Sequence, residues 1–161
     1  MDISNNEYRK IKQSAEDFYK SMNSVFCPFF SKYIKFNAKG LNHIKMKSWN
    51  RARPISDQYL RLKFIRLVPE ILSSSGTLQE FKEELIFERL KINENWQSKR
   101  RIIKYYGFVA IINGLRVKII VKRTNQDNIF FWSIIPFWKH SRDSITGGIK
   151  KVFHEGDLES Q

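Results

Sequence analysis

The chain has 161 residues, of which 42% are hydrophobic and 14% aromatic, which is enough for one well-filled core but not for two large ones. Its single cysteine, Cys27, excludes an internal disulfide framework and a cysteine-based zinc site, and we expect it to be a small buried hydrophobe. The net charge of +13 predicts a polyanionic partner, and nucleic acid is favoured over membrane because no basic amphipathic anchoring helix is apparent.

The positive charge is concentrated in two blocks. Residues 32–66 hold ten Lys or Arg against one acidic residue, and residues 91–123 hold nine against one, with an acidic stretch between them. This pattern is typical of a folded cationic surface and not of a disordered basic tail. The first ten residues are polar and no window of 18 residues is uncharged and apolar. We therefore expect neither a signal peptide nor a membrane span, and a cytoplasmic location.

The N-terminal part is predicted to be a helix that leads into a basic segment. Apolar side chains recur at three- and four-residue spacing over residues 5–25, which predicts a helix that Pro28 terminates, so residues 1–28 form an N-terminal helical segment. The aromatic and β-branched run at 29–36 predicts a short strand that ends in a turn. The next residues, LNHIKM at 41–46, are compatible with either a strand or a helix.

The middle of the chain is predicted to contain a helix and a strand. Ser56 and Asp57 are N-cap candidates for a helix, and Pro69 either kinks this helix or begins a short second one. Thr77 begins a weak capping-box pattern. Residues 85–92 favour a strand over a helix.

Residues 101–123 carry the clearest structural signal, two strand-like runs joined by Asn113-Gly114, a preferred two-residue hairpin turn. The turn fixes the register, so one face pairs Ile112 with Leu115, Ala110 with Val117, Phe108 with Ile119 and Tyr106 with Val121. The other face pairs Ile111 with Arg116, Val109 with Lys118, Gly107 with Ile120 and Tyr105 with Lys122. We expect the first face to meet the core and the second to be cationic, free of carboxylates and open above Gly107.

The last predicted strand is residues 129–135 (IFFWSII), which is apolar on both faces and therefore central in the sheet. The polar composition after it predicts a mobile tail at 141–161, which leaves the main domain at 29–140. The predicted fold class is α+β, with N-terminal helices packed on a four- to five-stranded antiparallel sheet.

The basic stretch around His43 points to chemistry on RNA, because a histidine exchanges protons near neutral pH and the surrounding cations attract phosphate. RNA is cut without a metal when its own 2′-hydroxyl is the nucleophile, and the enzyme then supplies an acid, a base and cations for the transition state. His43 is the candidate acid or base, and Arg51 and Arg53 are the candidate transition-state stabilisers. Tyr105 and Ser133 are candidates to orient the phosphate or donate a proton.

The remaining candidate residues would bind RNA. They are the cations Lys45, Lys47, Arg116, Lys118 and Lys122, with Trp138 or Trp49 stacking on a base. The chain has no glycine-rich nucleotide-binding motif, no histidine pair at metal-ligand spacing and no carboxylate cluster within its basic blocks. We therefore expect no metal and no cofactor.

Three stretches resemble the barnase–EndoU–colicin–RelE superfamily of ribonucleases, in particular its phage- and toxin-associated branches. They are YIKFNAKGLNHI at 33–44, DQYLRLKFIRLVPEIL at 57–72, and KYYGFVAIINGLRVKIIVKR with FFWSIIPFW within 104–138. In that superfamily a strand–turn–histidine element precedes a helix and an antiparallel sheet whose last strand often carries Ser or Thr. The resemblance implies an RNase-toxin-like fold and metal-independent endoribonuclease activity, with His43 and Ser133 at matching positions. It also implies an acidic antitoxin or immunity protein as a partner beside RNA.

Two other functions fit the same sequence. One is a non-catalytic nucleic-acid-binding module that uses the same basic surface, which would bind RNA in a salt-dependent manner without cutting it. The other is a protein-interaction module whose cationic surface meets an acidic protein partner.

Overall fold

A computed structural model describes residues 3–125 and 128–136. The helices are α1 (Asn5–Ser21), α2 (Ala38–Lys45), α3 (Ile55–Phe64) and α4 (Val68–Ser74), with a 3₁₀ turn at Ile65–Leu67. The strands are β1 (Ser24–Cys27), β2 (Lys32–Lys35), β3 (Met46–Ser48), β4 (Arg51–Ala52), β5 (Glu80–Ile92), β6 (Asn95–Ile112), β7 (Leu115–Asn125) and β8 (Asn128–Pro136). Trp138 and the predicted tail at 141–161 lie outside the described residues.

The predicted α+β class is confirmed, but the sheet within the described residues has six strands and not four or five. The strand order is β1-β2-β8-β7-β6-β5, and β3 and β4 form a separate two-stranded ribbon. All the pairs in the large sheet are antiparallel except β2 with β8, which is parallel and is registered at Lys35 and Phe130. The predicted interior position of the last strand is therefore confirmed, since β8 lies between β2 and β7.

The first helix is shorter than predicted. Ser4 caps α1 by accepting a hydrogen bond from the Glu7 amide at 3.2 Å, and the helix ends at Ser21. Residues 22–25 are not helical, because β1 pairs with β2 there and buries Cys27. The predicted strand at 29–36 begins three residues later, at Lys32.

The ambiguous segment around His43 is helical. Asn37 caps α2 by accepting a hydrogen bond from the Gly40 amide at 3.1 Å. This helix crosses β8 so closely that a Cβ atom on Gly40 would overlap the carbonyl oxygen of Phe131. Glycine is therefore required by the close approach of helix and strand.

The predicted helix after Pro54 is confirmed, but its caps are not Ser56 and Asp57. Pro54 occupies the N-cap position without a side-chain hydrogen bond. Pro69 lies in the first turn of α4, which confirms the short second helix. The capping-box pattern at Thr77 begins no helix, because the chain enters β5 at Glu80.

Strands β5 to β8 form an antiparallel meander. Every residue pair predicted for the Asn113-Gly114 hairpin is confirmed, and both turn residues have positive φ, as a type I′ turn requires. The strand predicted at 85–92 is confirmed as part of β5, which pairs with β6 along its whole length. Because β7 pairs with β6 between Lys104 and Ile112, residues 84–103 extend beyond it as a two-stranded arm.

The main core lies between the helices and the predicted apolar face of the hairpin, which confirms that face as the core side. Its sheet residues include Tyr106, Phe108, Val117, Ile119, Val121, Phe131 and Ile134. A smaller cluster covers the opposite face and consists of Ile103, Tyr105, Ile120 and Ile135, with Ile86, Val109 and Trp132 packed against it.

Candidate functional site

His43 lies in the last turn of α2 and is 7% exposed, next to the equally buried Arg53, which is 6% exposed. The Arg53 Nε donates to the carbonyl oxygen of His43 at 3.1 Å, and its Nη2 lies 3.4 Å from the imidazole Nε2. A guanidinium has no acceptor, so the imidazole nitrogen accepts in this contact and its proton is assigned to Nδ1. Two residues predicted separately as base and cation are thus adjacent.

The hydrogen bonds continue from Arg53 to the last strand. Asp57 lies 3.5 Å from the Arg53 Nη1 and accepts from the Arg61 Nε at 2.8 Å. Arg61 in turn donates through Nη1 to the Ser133 Oγ at 2.7 Å and to the Ile134 carbonyl oxygen at 3.1 Å. Ser133 is fully buried, so it acts here as an internal acceptor for Arg61.

The polar side chains around this chain of contacts form one group, which we call the His43 network. Its members are His43, Arg53, Asp57, Gln58, Arg61 and Ser133. Gln58 joins it by donating to the Arg53 carbonyl oxygen at 2.8 Å and by accepting from the Tyr8 hydroxyl at 2.6 Å. The network therefore ties α1, α2 and α3 to the interior strand β8.

Trp132 connects the network to the opposite face of the sheet. Its ring stacks on the His43 ring with centroids 4.1 Å apart and an interplanar angle of 23°. The Lys122 ammonium lies 3.7 Å from the Trp132 centroid and 5.3 Å from that of Tyr105. Tyr105 is thus linked to Trp132 through Lys122.

A bulge in β8 places Trp132 here. Ile120 pairs with Ser133 whereas the next residue, Val121, pairs with Phe131, so β8 contains one extra residue between them. Bulges of this kind redirect a side chain and are frequent beside functional sites.

The cationic sheet face differs from the prediction. Glu80 of β5 lies on this face, and its Oε2 is 3.0 Å from the Nζ of the fully buried Lys118. The face is therefore not free of carboxylates. The space above Gly107 is occupied as well, because a Cβ on this glycine would lie 3.0 Å from the Glu80 Cβ. The Lys118 ammonium is fully buried beside Glu80 in this conformation, and its predicted contact with RNA stays a prediction.

The other predicted RNA-binding residues are scattered. Lys45 pairs with Glu16 at 2.8 Å, and Arg116 is partly buried beside the Asn113-Gly114 turn, away from the His43 network. The exposed predicted cations nearest His43 along the chain are Lys47 and Arg51, on the ribbon formed by β3 and β4.

Trp49, at the turn of the same ribbon, is 90% exposed, which leaves its ring open to a nucleic-acid base. A backbone hydrogen bond from the Arg53 amide to the Lys45 carbonyl oxygen, at 3.0 Å, fixes this ribbon next to α2. The ribbon therefore places exposed cations and an aromatic ring beside the network.

The sequence prediction missed four members of the site, which are Asp57, Gln58, Arg61 and Trp132. The sequence does contain a signal that Arg61 is buried. Arg61 lies at the i, i+3, i+4, i+7 spacing of one helix face, together with the other buried residues Gln58, Leu62 and Ile65 of α3 and the following turn. An arginine inside such a stripe indicates a buried polar contact.

The described residues contain no group of three or more His, Cys, Asp or Glu that would hold a metal ion. Burial raises the pKa of the Cys27 thiol, which disfavours the nucleophilic thiolate form. In the described part of the chain, none of the helices has the length and apolar character needed to cross a membrane. No protein-family model, curated protein or solved structure matches the chain.

Proposed function

We propose that the protein is a metal-independent endoribonuclease of the barnase–EndoU–colicin–RelE kind, toxin- or phage-associated, in which His43 is the acid–base residue. The observation that supports it best is the 3.4 Å contact between the His43 imidazole and the Arg53 guanidinium, beside a ribbon of exposed cations. A phosphate bound by this guanidinium lies within reach of the imidazole as well, so one phosphodiester meets a proton-transfer group and a fixed positive charge together.

The proposed reaction needs only groups of the RNA and the protein. The 2′-oxygen attacks the adjacent phosphorus and its proton is taken up by a base, while the bond to the 5′-oxygen breaks and this oxygen receives a proton. The products are a 2′,3′-cyclic phosphate and a 5′-hydroxyl. His43 carries out one of the two proton transfers, and Arg53 with Arg51 neutralises the charge on the phosphate oxygens.

The remaining predicted residues take supporting parts in this proposal. Lys47 and Trp49 on the exposed ribbon hold the RNA, through its backbone and one unstacked base respectively. Ser133 positions Arg61, and through Asp57 the guanidinium of Arg53, instead of touching the substrate. Tyr105 supports Lys122, which lies over Trp132 behind the imidazole.

A second candidate function is RNA binding without cleavage, and the burial of the two central residues favours it. His43 and Arg53 are 7% and 6% exposed, so the exposed ribbon alone would contact RNA if the network stayed closed. In that case the network serves to stabilise the fold and not to transfer protons.

Incubation of the purified protein with total RNA in EDTA distinguishes the two functions. The wild type should produce fragments that end in a 2′,3′-cyclic phosphate, and His43→Gln should lower the cleavage rate by about 10²-fold or more, the usual contribution of general acid–base catalysis. Far-UV circular dichroism and thermal unfolding of the variant show whether its fold is retained.

Two further variants complete the design. Arg51→Ala removes an exposed cation and should weaken RNA binding without disturbing the core. Lys20→Ala, which removes another exposed cation on α1, should change neither binding nor cleavage. Cleavage at the wild-type rate by a folded His43→Gln protein, or a requirement for Mg²⁺, would rule out the mechanism. Tight, salt-dependent binding with no product would assign the second function.

A further inference from the structure

The two-stranded arm at residues 84–103 carries an exposed apolar face that the rest of the described chain leaves uncovered. The helix-side face of the sheet is covered as far as Tyr106, where Phe29 and Phe30 contact its ring. Beyond that point the same face shows exposed apolar side chains on both strands. They are Phe81 at the base of the arm, Leu85 and Phe87 on β5, and Trp96 and Ile102 on β6, each at least half exposed.

The register places these side chains in one strip along the arm, which is interrupted by the Glu83–Lys104 ion pair and by the Arg89–Ser98 pair. Leu85 lies opposite Ile102, and Phe87 lies opposite Arg100, whose guanidinium is 5.6 Å from the Phe87 ring centroid. Further out, Lys91 lies opposite Trp96. At ~3.3 Å per residue the strip from Phe81 to Lys91 is about 33 Å long, which is the length of a short bound segment and exceeds what scattered surface hydrophobes form.

The two faces of the arm differ in charge. The apolar face carries Arg89, Lys91 and Arg100, and the one carboxylate near its base, Glu83, already pairs with Lys104 at 3.3 Å.

On the opposite face the charges balance internally. Glu84 and Glu88 match Lys99 and Arg101 there, and Arg101 pairs with Glu88 at 2.9 Å. The excess of positive charge therefore lies on the same side as the exposed apolar strip, where it complements a carboxylate-bearing partner.

We propose that this face of the arm is the docking surface for a segment of another protein, amphipathic and acidic, with apolar side chains flanked by Asp or Glu. A second copy of the chain is disfavoured because its arm would bring the same cations against Arg89, Lys91 and Arg100. The exposed rings of Phe87 and Trp96 would also stack on RNA bases, but Leu85 and Ile102 between Phe81 and Phe87 are aliphatic and favour a protein segment. The surface lies apart from the His43 network, and the proposal does not rest on RNA cleavage.

The test measures binding of labelled probes to the full chain by fluorescence anisotropy. The probes are a synthetic amphipathic peptide with Leu and Phe on one face and Glu on the other, the same peptide with Lys in place of Glu, and an oligouridine. The key variant is Phe87→Ser on the arm, and its control is Tyr33→Ser on β2, because the two rings are almost equally exposed at 66% and 64%.

The acidic peptide should bind the wild type at least about tenfold more tightly than the Lys peptide, and Phe87→Ser should weaken its binding by about tenfold or more, as for the loss of an aromatic anchor. Tyr33→Ser should leave it unchanged. Equal binding of the two peptides, or an equal effect of Tyr33→Ser, would overturn the proposal. If Phe87→Ser lost oligouridine binding but kept peptide binding, the surface would be reassigned to RNA. If the wild type sedimented as a dimer and Phe87→Ser as a monomer, the surface would be reassigned to self-association.

Discussion

The clearest prediction concerns Arg61, whose guanidinium is buried between α3 and β8. Replacing it by Met keeps the apolar stem but removes the donor to the Ser133 hydroxyl, at 2.7 Å, and to the Ile134 carbonyl oxygen, at 3.1 Å. Each buried acceptor that loses its donor costs about 1–3 kcal/mol. The Ser133 hydroxyl is able to rotate and Asp57 keeps part of its hydration, so the two costs do not add fully.

We therefore expect Arg61→Met to lower the free energy of unfolding by about 2–4 kcal/mol. At roughly 2–4 °C per kcal/mol for a chain of this size, the Tm should fall by about 5–15 °C. Equilibrium unfolding in urea measures the loss as a lower midpoint at unchanged slope.

The chain offers a matched control in Arg66. This arginine also donates to a serine hydroxyl, that of Ser14 at 2.9 Å, but it is exposed. Arg66→Met should cost about 1 kcal/mol or less, since exposed polar contacts contribute little. In Arg61→Met combined with Ser133→Ala, the unsatisfied hydroxyl is gone, so the double variant should be more stable than the sum of the single losses by about 1–2 kcal/mol. Equal losses for the two arginines, or strict additivity, would refute the argument from burial.

Three further predictions follow from other buried contacts. Gly40→Ala should lower the free energy of unfolding by about 2–4 kcal/mol, because the new Cβ would meet main-chain atoms of β8. Gly76→Ala, where the Cβ would point into open space, should leave the stability nearly unchanged. Similar melting temperatures for the two variants would contradict the close approach of α2 to β8. Glu80→Ala deprives the buried Lys118 ammonium of the carboxylate 3.0 Å away and should lower the free energy of unfolding by about 2–4 kcal/mol. Lys118→Met removes the buried charge itself and should lower the free energy of unfolding less. The reverse order in urea unfolding would show that the pair does not stabilise the fold. Burial raises the pKa of the Tyr19 hydroxyl well above its ordinary value of 10.0, so above pH 10 the unfolded chain loses this proton while the folded chain keeps it. The free energy of unfolding should therefore fall by up to ~1.4 kcal/mol per pH unit above pH 10. Tyr19→Phe should make this fall less steep, and an unchanged pH dependence of the free energy of unfolding would disprove the assignment.

Features governed by local rules were predictable from the sequence. The hairpin register was predicted pair for pair because a two-residue Asn-Gly turn leaves one geometry for the strands that it joins. Pro69 began a new helix because a proline fits the first turn of a helix but not its interior. The adjacency of His43 and Arg53 was expected in part, since one short ribbon separates them in the chain.

Features that depend on distant partners were not predictable from local patterns. Gly107 was expected to leave an open face, but the carboxylate that fills the space comes from β5, whose side-chain orientation depends on its pairing with β6. The helical spacing indicates that Arg61 is buried, but its partners Ser133 and Ile134 lie more than 70 residues away on β8 and have no local signal. The extra residue at Trp132 has no local signal, since a bulge is defined by the partner strand.

The position of β8 determines when the large sheet can be completed during synthesis. Lys35 and Phe130 are paired although 130 − 35 = 95 residues separate them in the chain. At ~5–20 residues per second, a ribosome needs about 5–20 s to make that interval. Through most of this interval His43, Arg53 and Arg61 have been made, but the strand that carries Trp132 and Ser133 has not. If the protein cuts RNA as proposed, the nascent chain therefore has no assembled site with which to cut its own message until β8 has been made.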